Sequence, residues 1–378
     1  MHLLALDAAL VFLCLQAWGC TRGVLGRGAD RDPNGGRAGG GAGWLRASLP
    51  ELIALAPFPA ISLALFLVQG ARGPLSTAIV LATGLGMAGL LRISRMLLAR
   101  LGPRPRVWIG RLGAALGLSC AMAVFLYIWL RPPAAALAAM MVGPSALCIL
   151  GAACLIPGWV WLARLGDLCR APASAALIGL AVVLSLCMDS HEIGRRAWPA
   201  VQAPRPVAAR PTLEEALKAW RLTGPSGNRI VLVAAEGGGA RSALWTAQVL
   251  GTLEEASQGQ FSRHLFAISA VSGADVGAAG FVAELTRTPA PAPAILHDGL
   301  LAFAGSDFTS PTLAGLLWPD FAQRFFAPVV LPDTAQYFEQ GLQVAWAGRC
   351  PAGERGCAGA LDQPFLDLFT GKAGAWKP

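Results

Sequence analysis

The chain has 378 residues, of which 55% are hydrophobic and only 14% are charged, and its mean hydropathy is +0.54. Soluble domains carry about 25% charged residues, so part of this chain is expected to lie in a membrane. The composition excludes a disordered chain and a disulfide-dense mini-protein, and 45 Gly and 27 Pro without a triplet period exclude a collagen-like polymer.

The formal net charge of +8 is unevenly distributed. Residues 1–200 hold 17 Arg, no Lys and 7 acidic residues, whereas residues 201–378 hold 13 basic and 15 acidic residues. The positive charge therefore lies among the most apolar stretches, where it is a signal of membrane topology. Because the second half has no basic excess to follow a phosphate backbone, nucleic acid is excluded as a partner.

Residues 1–197 are predicted to form a membrane region with five to six transmembrane helices, since a span needs roughly 20 mainly apolar residues. The stretch at the N-terminus contains one carboxylate and the other five are free of charge. The six stretches are Leu3–Gly19, Leu52–Val68, Leu75–Leu91, Leu112–Leu130, Pro133–Leu162 and Ala171–Met188. The fifth is long and contains Pro144 and Pro157, so it is where a re-entrant segment could lie.

Arginines alternate between rich and poor loops. Five lie between Thr21 and Pro50 and six between Arg92 and Arg111, whereas the loop between them has only Arg72. The positive-inside rule makes the two rich loops cytoplasmic, and strict alternation over six spans then delivers the C-terminal half to the outside. Four arginines between residues 195 and 210 argue for the inside. The sequence therefore leaves the side of the C-terminal domain open.

A Pro-rich linker is predicted at residues 198–211, which contain four prolines, and an α/β domain at residues 212–378. Thr212 and Glu215 have the spacing of a capping box. The short amphipathic helix that follows is expected to pack on the domain through Trp220 rather than to lie on the bilayer.

An α/β unit is predicted from two strand-turn-helix segments. The apolar run Ile230–Ala235 is typical of a strand buried on both faces, and a helix follows from about Ser242 to Ala256 with a thin face of small residues for packing on a sheet. Leu265–Ala270 is the second strand, and a helix runs from the next turn through Ala283. This order predicts a parallel sheet with a right-handed crossover.

The two turns carry the candidate chemistry. Gly237, Gly238 and Gly239 follow the first strand and place several backbone N–H groups at the start of a helix, where an anion or an oxyanion can bind. Ser272 follows the second strand between small residues, as in a nucleophile elbow. Because parallel neighbouring strands end at one edge of a sheet, the serine and the glycine-rich loop are expected to face each other, as acyl transfer requires.

These segments resemble the patatin-like phospholipases, in particular a bacterial membrane-anchored group. The resemblance covers about residues 212–378 and rests on VLVAAEGGGARSALWTAQVL, on FAISAVSGADVGAAGF and more loosely on DFTSPTLAGLLWPDFAQRF. It implies a three-layer α/β fold with a mainly parallel sheet, and a Ser–Asp dyad without histidine. In that scheme Ser272 is the nucleophile, and the amides of Gly237, Gly238 and Gly239 form the oxyanion hole with Arg241 beside them.

The chain departs from the family pattern in two ways. The family's elbow is G-x-S-x-G, whereas Ala270 and Ala274 stand at the glycine positions here. The family's dyad Asp lies in an Asp-Gly motif well after the elbow, and Asp298-Gly299, 26 residues after Ser272, comes too early. The dyad Asp is therefore not identified, and the chain is expected to be incomplete at its C-terminal end.

Other candidate residues are interpreted as structural. His264 and His297 are expected to be surface histidines, because no spacing supports a triad. Cys350 and Cys357 are expected to be loop thiols, although a disulfide is permitted if the domain is extracytoplasmic.

The sequence thus predicts an integral membrane protein, with a bacterial inner membrane as its expected location. The leading hypothesis is a serine lipid acyl hydrolase with membrane lipids as substrate and with no metal and no organic cofactor. The alternative is a catalytically inactive membrane protein whose degenerate domain binds lipid head groups or a partner. A transporter is a weaker third hypothesis, since the spans show no charged pathway.

Overall fold

The computed structural model describes residues 2–31, 41–69, 74–101, 122–128, 130–170, 172–187, 212–223, 229–287, 291–325 and 332–350, with residues 113, 116, 117, 119, 120, 357, 359 and 361. The chain forms two compact units. The helical unit comprises Met1–Ser190 and Thr309–Phe338, and the α/β unit comprises His191–Phe308 and Glu339–Pro378. The predicted linker at 198–211 lies outside the described residues, and the division of the chain at that linker stays a prediction.

The helical unit contains long apolar helices. In chain order its helices are α1 (His2–Arg31), α2 (Gly41–Leu55), α3 (Pro57–Gln69), α4 (Pro74–Arg100), α5 (Met122–Ile128), α6 (Pro132–Val142), α7 (Pro144–Cys169) and α8 (Ala173–Cys187). Four stretches are long and apolar enough to cross a membrane, namely His2–Arg22, Ser48–Val68, Pro74–Arg100 and Pro144–Cys169. The helices predicted at Leu3–Gly19, Leu52–Val68 and Leu75–Leu91 are thereby confirmed.

The stretch Pro133–Leu162 is not one continuous helix, and it breaks just before Pro144, one of the two prolines at which the sequence allows a break. The chain breaks at Gly143, whose φ of 88° ends α6, and α7 begins at Pro144. Pro157 lies inside α7 without breaking it. Helices α5 and α6 are bent by 117° relative to each other, so they form either one broken span or a re-entrant pair. Of the predicted span Leu112–Leu130, the described residues are helical, and residues 112, 114, 115, 118, 121 and 129 lie outside the described part of the chain.

The helical unit is apolar on its surface as well as in its core. The core contains apolar side chains of α1, α3 and α4, such as Leu10, Phe58 and Val80. Large apolar side chains such as Val68, Leu85 and Leu186 point outward and are mostly exposed. A soluble monomer rarely exposes so much contiguous apolar surface, whereas a hydrocarbon environment accommodates it at no cost.

The segment Thr309–Phe338 packs on helices α6 and α7 within the helical unit. It contains α14 (Thr309–Gly315), a π-helical turn (Leu316–Asp320), the short α15 (Phe321–Gln323) and the start of α16 (Thr334–Arg349). Ala314, Trp318 and Tyr337 form one buried cluster with Ala139 and Leu147. In the sequence this segment lies between two parts of the α/β unit. In the structure it is part of the helical unit.

The α/β unit begins with the predicted capping box. Its elements are α9 (Leu213–Thr223), β1 (Val231–Ala235), α10 (Ala240–Ala256), α11 (Gln260–His264), β2 (Leu265–Ala270), α12 (Gly273–Leu285), α13 (Pro293–Ala304) and the rest of α16. The Thr212 N–H donates to Glu215 Oε2 at 2.7 Å, and the Glu215 N–H donates to Thr212 Oγ1 at 3.2 Å. Trp220 is buried and meets the ring of Phe266 edge-on, which confirms that α9 packs on the domain.

The sheet of the α/β unit has two parallel strands among the described residues. Ala235 pairs with Ala270, and a register shift near the start of β2 leaves Phe266 as an extra residue. The strands are predicted correctly, but burial of β1 on both faces is wrong, because burial alternates along it and Leu232 is 69% exposed. On the other face, Val231 and Val233 pack against the core that includes Leu250 and Phe281.

The small residues of α10 pack against helices rather than a sheet. A Cβ on Gly277 of α12 would meet the carbonyl oxygen of Ala243 and come within 3.0 Å of the amide nitrogen of Ala247. Glycine at this position therefore allows the two backbones to approach closely. This close packing brings the N-termini of α10 and α12 together at one end of the unit.

A buried ion cluster joins α12 to α16. The fully buried carboxylate of Glu284 accepts from Arg287 at 3.0 Å and from Arg349, whose guanidinium lies 3.5 Å from the centroid of the Trp346 ring. Burial raises the pKa of the Glu284 carboxyl, and the two guanidinium groups oppose that shift. The cluster joins α16 to α12 of the α/β core. Removing one partner would leave a buried charge uncompensated, which is strongly destabilising.

Cys350 and Cys357 form a disulfide with a Cα–Cα distance of 5.8 Å, so their interpretation as loop thiols is wrong. The bond closes a short loop directly after α16. The Trp346 indole N–H donates to the carbonyl oxygen of Cys357 at 2.7 Å and holds this loop on the helix.

Candidate active site

The two candidate turns lie side by side at one edge of the sheet. The parallel pairing continues past the strands, since the Val271 N–H donates to the Ala235 carbonyl at 3.2 Å. Gly237 follows Ala235 by two residues and Ser272 follows Val271, so the glycine-rich loop and the serine meet as the strand order predicts. A distance of 35 residues in sequence becomes direct contact in the fold.

Ser272 has a backbone conformation that L-residues rarely adopt. Its φ is 57° and its ψ is −126°, and it is the residue at which β2 turns into α12. Such a conformation costs on the order of 1–3 kcal/mol in a non-glycine residue and is maintained only where the surroundings enforce it. A strained serine between a strand and a helix is the geometry of a nucleophile elbow, in which the side chain is presented to solvent. Ser272 is exposed accordingly.

The lack of side chains on two glycines permits the contact between the turns. A Cβ on Gly237 would lie 3.2 Å from Ser272 Cβ and 3.2 Å from the Val271 carbonyl oxygen. A Cβ on Gly273 would collide with the carbonyl oxygen of Gly239. The backbone of the glycine-rich loop therefore lies directly against the turn that contains Ser272.

The glycine-rich loop is held in place by the side chain of Ser242. The Ser242 hydroxyl donates to the Glu236 carbonyl across the loop, and a Cβ on Gly238 would come within 3.2 Å of Ser242 Cβ. Because Ser242 lies in the first turn of α10, the loop is tied to the helix that supplies its positive dipole end. In the sequence, this role of Ser242 is indicated by its position three residues after Gly239, at the predicted start of the helix.

Helices α10 and α12 both begin at this site, at Ala240 and at Gly273. The dipoles of the two helices favour negative charge between them. In α12 the N–H groups of Ala274 and Asp275 already donate to the carbonyl oxygens of Val271 and Ser272. Arg241, in the first turn of α10, is exposed and adds a formal positive charge near the loop. Together these groups suit the developing oxyanion of an acyl-transfer reaction or the phosphate of a bound lipid.

The histidines lie far from Ser272. His297 lies beside Gly251, because a Cβ on this glycine would contact the histidine ring. Gly251 is 12 residues after Gly239, which places it about 18 Å along α10 from the glycine-rich loop at 1.5 Å per residue. His297 Nδ1 bonds Glu255 Oε2 at 2.6 Å. His264 precedes β2, at the strand end opposite Ser272, and its ring bonds the Gln260 carbonyl at 2.8 Å. Neither histidine can act as the base for Ser272 from these positions.

Asp298 is also distant from Ser272. Its neighbour Gly299 packs against Glu284, which lies 12 residues after Ser272 and about 16 Å along α12 from Gly273. Within the described part of the chain, no hydrogen bond reaches the Ser272 hydroxyl. Asp298 is thus not brought to the serine, and no described carboxylate is hydrogen-bonded to the Ser272 hydroxyl.

Several large apolar side chains near the two turns in sequence are exposed. Val271 is 61% exposed and adjoins Ser272, and Trp245 in the second turn of α10 is 70% exposed. Leu244 beside Trp245 is also exposed. Their exposure could not be recognised from an apolar helix pattern alone.

Among the described residues, no group of three or more His, Cys, Asp or Glu side chains is arranged to hold a metal ion. Comparisons of the chain with protein-family models, with curated proteins and with solved structures found no match.

Proposed function

We propose that the chain is a membrane-bound serine acyl hydrolase of the patatin-like type that cleaves ester bonds of phospholipids or acylglycerols. The observation that carries the proposal is the strained backbone of Ser272 in contact with Gly237. A conformation of this kind is retained where it has a use, and exposing a nucleophile beside backbone donors is such a use. The three-layer fold of that family is part of the proposal.

The geometry supports the following chemistry. Ser272 Oγ attacks the ester carbonyl carbon, and its proton passes to a base, an aspartate in the family that the motifs resemble. The backbone N–H groups of Gly237, Gly238 and Gly239 stabilise the oxyanion, with Arg241 adding positive charge. The alcohol part of the lipid leaves with a proton, and water then hydrolyses the acyl-serine ester to release the fatty acid.

The apolar helices of the helical unit support a membrane location, with a bacterial inner membrane as the expected one. Esters of membrane lipids are then the substrates at hand. The exposed Val271 and Trp245 would contact acyl chains, and the helix N-termini would face the ester or head group.

The test is fatty-acid release from phospholipid in mixed micelles by the full chain purified in detergent. Ser272→Ala should lower the rate at least about a thousandfold, since a catalytic nucleophile has no substitute. Ser269→Ala is the matched control, because Ser269 is exposed in the same strand and lies outside the turn. Equal rates for the wild type and Ser272→Ala would refute the proposal.

A catalytically inactive lipid-binding or partner-binding domain is the competing function. The observation that favours it is that the Ser272 hydroxyl has no hydrogen bond within the described residues. In that case the wild type would bind anionic phospholipid vesicles without releasing fatty acid. Gly237→Ala would then weaken vesicle binding, and neither the variant nor the wild type would release fatty acid.

A further inference from the structure

The first α-helix fixes the two ends of the helical unit. His2 Nε2 lies 2.9 Å from the carbonyl oxygen of Met140, and the Gly143 turn packs against the His2 ring. Helices α1 and α7 therefore both begin at this end, which we call the His2 end. Because α1 is long enough to cross a membrane, its C-terminal residues lie at the opposite end.

Arginines are concentrated in two parts of the sequence. Five lie between residues 22 and 46, directly after the first apolar stretch, and six lie between Arg92 and Arg111. Among the described residues, Arg22 ends the first apolar stretch, and Arg95 Nη1 is 3.6 Å from Glu51 Oε2 near the start of the second, so both arginines lie at the end opposite His2. Between the second and third stretches the sequence contains Arg72 alone. By the positive-inside rule the arginine-rich end is cytoplasmic.

The segment Thr309–Phe338 is located at the His2 end. Leu317 packs on Gly151, two turns after α7 begins, at 3.2 Å from where a Cβ would lie. The Tyr337 hydroxyl donates to the carbonyl oxygen of Ile128, in the same buried cluster as Ala139 and Leu147. Helix α16 begins in this segment and continues without a break to Arg349, which belongs to the α/β unit.

The disulfide is an independent indication of side. Cys350 follows the last residue of α16, and Cys350 and Cys357 are the two cysteines of the α/β unit. Disulfides persist in oxidising, extracytoplasmic compartments and are rare where cellular thiols are reducing. The other seven cysteines lie in or beside the apolar stretches and are free.

From these two observations we infer that the α/β unit lies on the extracytoplasmic side and that Ser272 acts on lipid esters of that leaflet. The choice of leaflet rests on the proposed function, whereas the side does not. The four arginines between residues 195 and 210 oppose this orientation. They precede a whole domain, and long extramembrane domains are translocated largely regardless of their charge.

The first test traps the thiols of the wild-type chain in its membrane. Living bacteria that express the full chain are treated with N-ethylmaleimide, and the protein is then reduced and alkylated with an isotopically heavy maleimide. Mass spectrometry of the peptides should show only the heavy label on Cys350 and Cys357. In Cys357→Ser, Cys350, which is only partly buried, should take the light label, which proves that the site is accessible to the reagent. Light label on both cysteines of the wild type would overturn the inference.

The second test locates one residue from each end. Arg263→Cys, on the exposed surface of the α/β unit, and Leu101→Cys, directly after α4, are introduced into a chain whose seven free cysteines are Ala. A membrane-impermeant maleimide applied to intact spheroplasts should label the first variant, and the second only after detergent. The reverse pattern would overturn the inference. If the Ala replacements prevent folding, thiol trapping in the wild type decides alone.

The leaflet is tested with a fluorescent short-chain phospholipid added to the outer leaflet of spheroplasts. The wild type should release the labelled fatty acid and Ser272→Ala should not. Hydrolysis in detergent but not in spheroplasts would overturn the leaflet assignment. Absence of hydrolysis in both, together with the expected labelling, would refute the proposed function and leave the side of the α/β unit standing.

Discussion

Gly237 lies directly against Ser272: a Cβ on this glycine would be 3.2 Å from Ser272 Cβ. The same Cβ would be 3.2 Å from the Val271 carbonyl oxygen, so it would be confined on two sides. Contacts this short are tighter than ordinary van der Waals packing, and the loop would have to move away from the serine. The close contact between the glycine-rich loop and Ser272 therefore depends on one position that lacks a side chain.

Gly237→Ala should lower the rate of acyl transfer about tenfold to a thousandfold, because displacing one oxyanion donor has an effect of up to that size. The rate is measured as fatty-acid release from mixed micelles. Gly348→Ala is the matched control, since a Cβ there meets nothing within 4 Å, and it should keep the wild-type rate. A Gly237→Ala rate equal to that of the control would contradict the role given to the loop.

Ser272→Gly should be more stable than Ser272→Ala by about 1–2 kcal/mol, since glycine adopts a positive φ without the penalty that alanine pays. Both variants lack the hydroxyl, and the relief of strain in Ser272→Gly must exceed the extra conformational entropy that glycine loses on folding, about 0.5–1 kcal/mol. Thermal unfolding of the detergent-purified chain measures it. If the two variants melt at the same temperature, the serine is not strained in the way its φ of 57° indicates.

Gly273→Ala should destabilise the α/β unit by about 1–3 kcal/mol, the usual effect of forcing an extra methyl group into a packed site. The methyl group would collide with the Gly239 carbonyl oxygen and push apart the turns that begin α10 and α12. Hydrogen exchange should rise in residues 237–243 and 271–277 together. Unchanged exchange in the glycine-rich loop would show that the two turns are not in contact.

Glu284→Gln should lower the free energy of unfolding by about 3–5 kcal/mol, because it leaves two buried guanidinium groups without their carboxylate. Glu255→Gln is the matched control. The Glu255 side chain is 43% exposed and pairs with His297, so its loss should have an effect within about 1 kcal/mol. Similar stabilities for the two variants would contradict the buried cluster that joins α12 to α16.

The local order of the α/β unit could be predicted from the sequence because its signals are local. An apolar run followed by glycines, and another followed by a serine between small residues, indicate strand ends and helix starts. Parallel pairing of β1 with β2 then brings Gly237 to Ser272 without further information. The capping box at Thr212 is local in the same sense and is confirmed.

The remaining features depend on contacts between distant segments. Burial of Leu232 depends on whether a layer covers that face of the sheet, and no local pattern records this. The disulfide depends on how α16 ends relative to Cys357, and the packing of Trp318 on α6 and α7 joins residues more than 150 positions apart. The break at Gly143 is a local feature, but an apolar stretch favours one long helix unless the positive φ is known.

The central claim, a reactive serine in a strained turn, is tested most directly by labelling the detergent-purified chain with a fluorophosphonate. This reagent forms a covalent bond with an activated serine hydroxyl, and digestion followed by mass spectrometry identifies the modified residue. In the wild type we expect a single modified peptide, which carries Ser272. Ser272→Ala should not be labelled, and Ser269→Ala should be labelled to the same extent as the wild type. A folded wild-type chain in which Ser272 stays unmodified would contradict it.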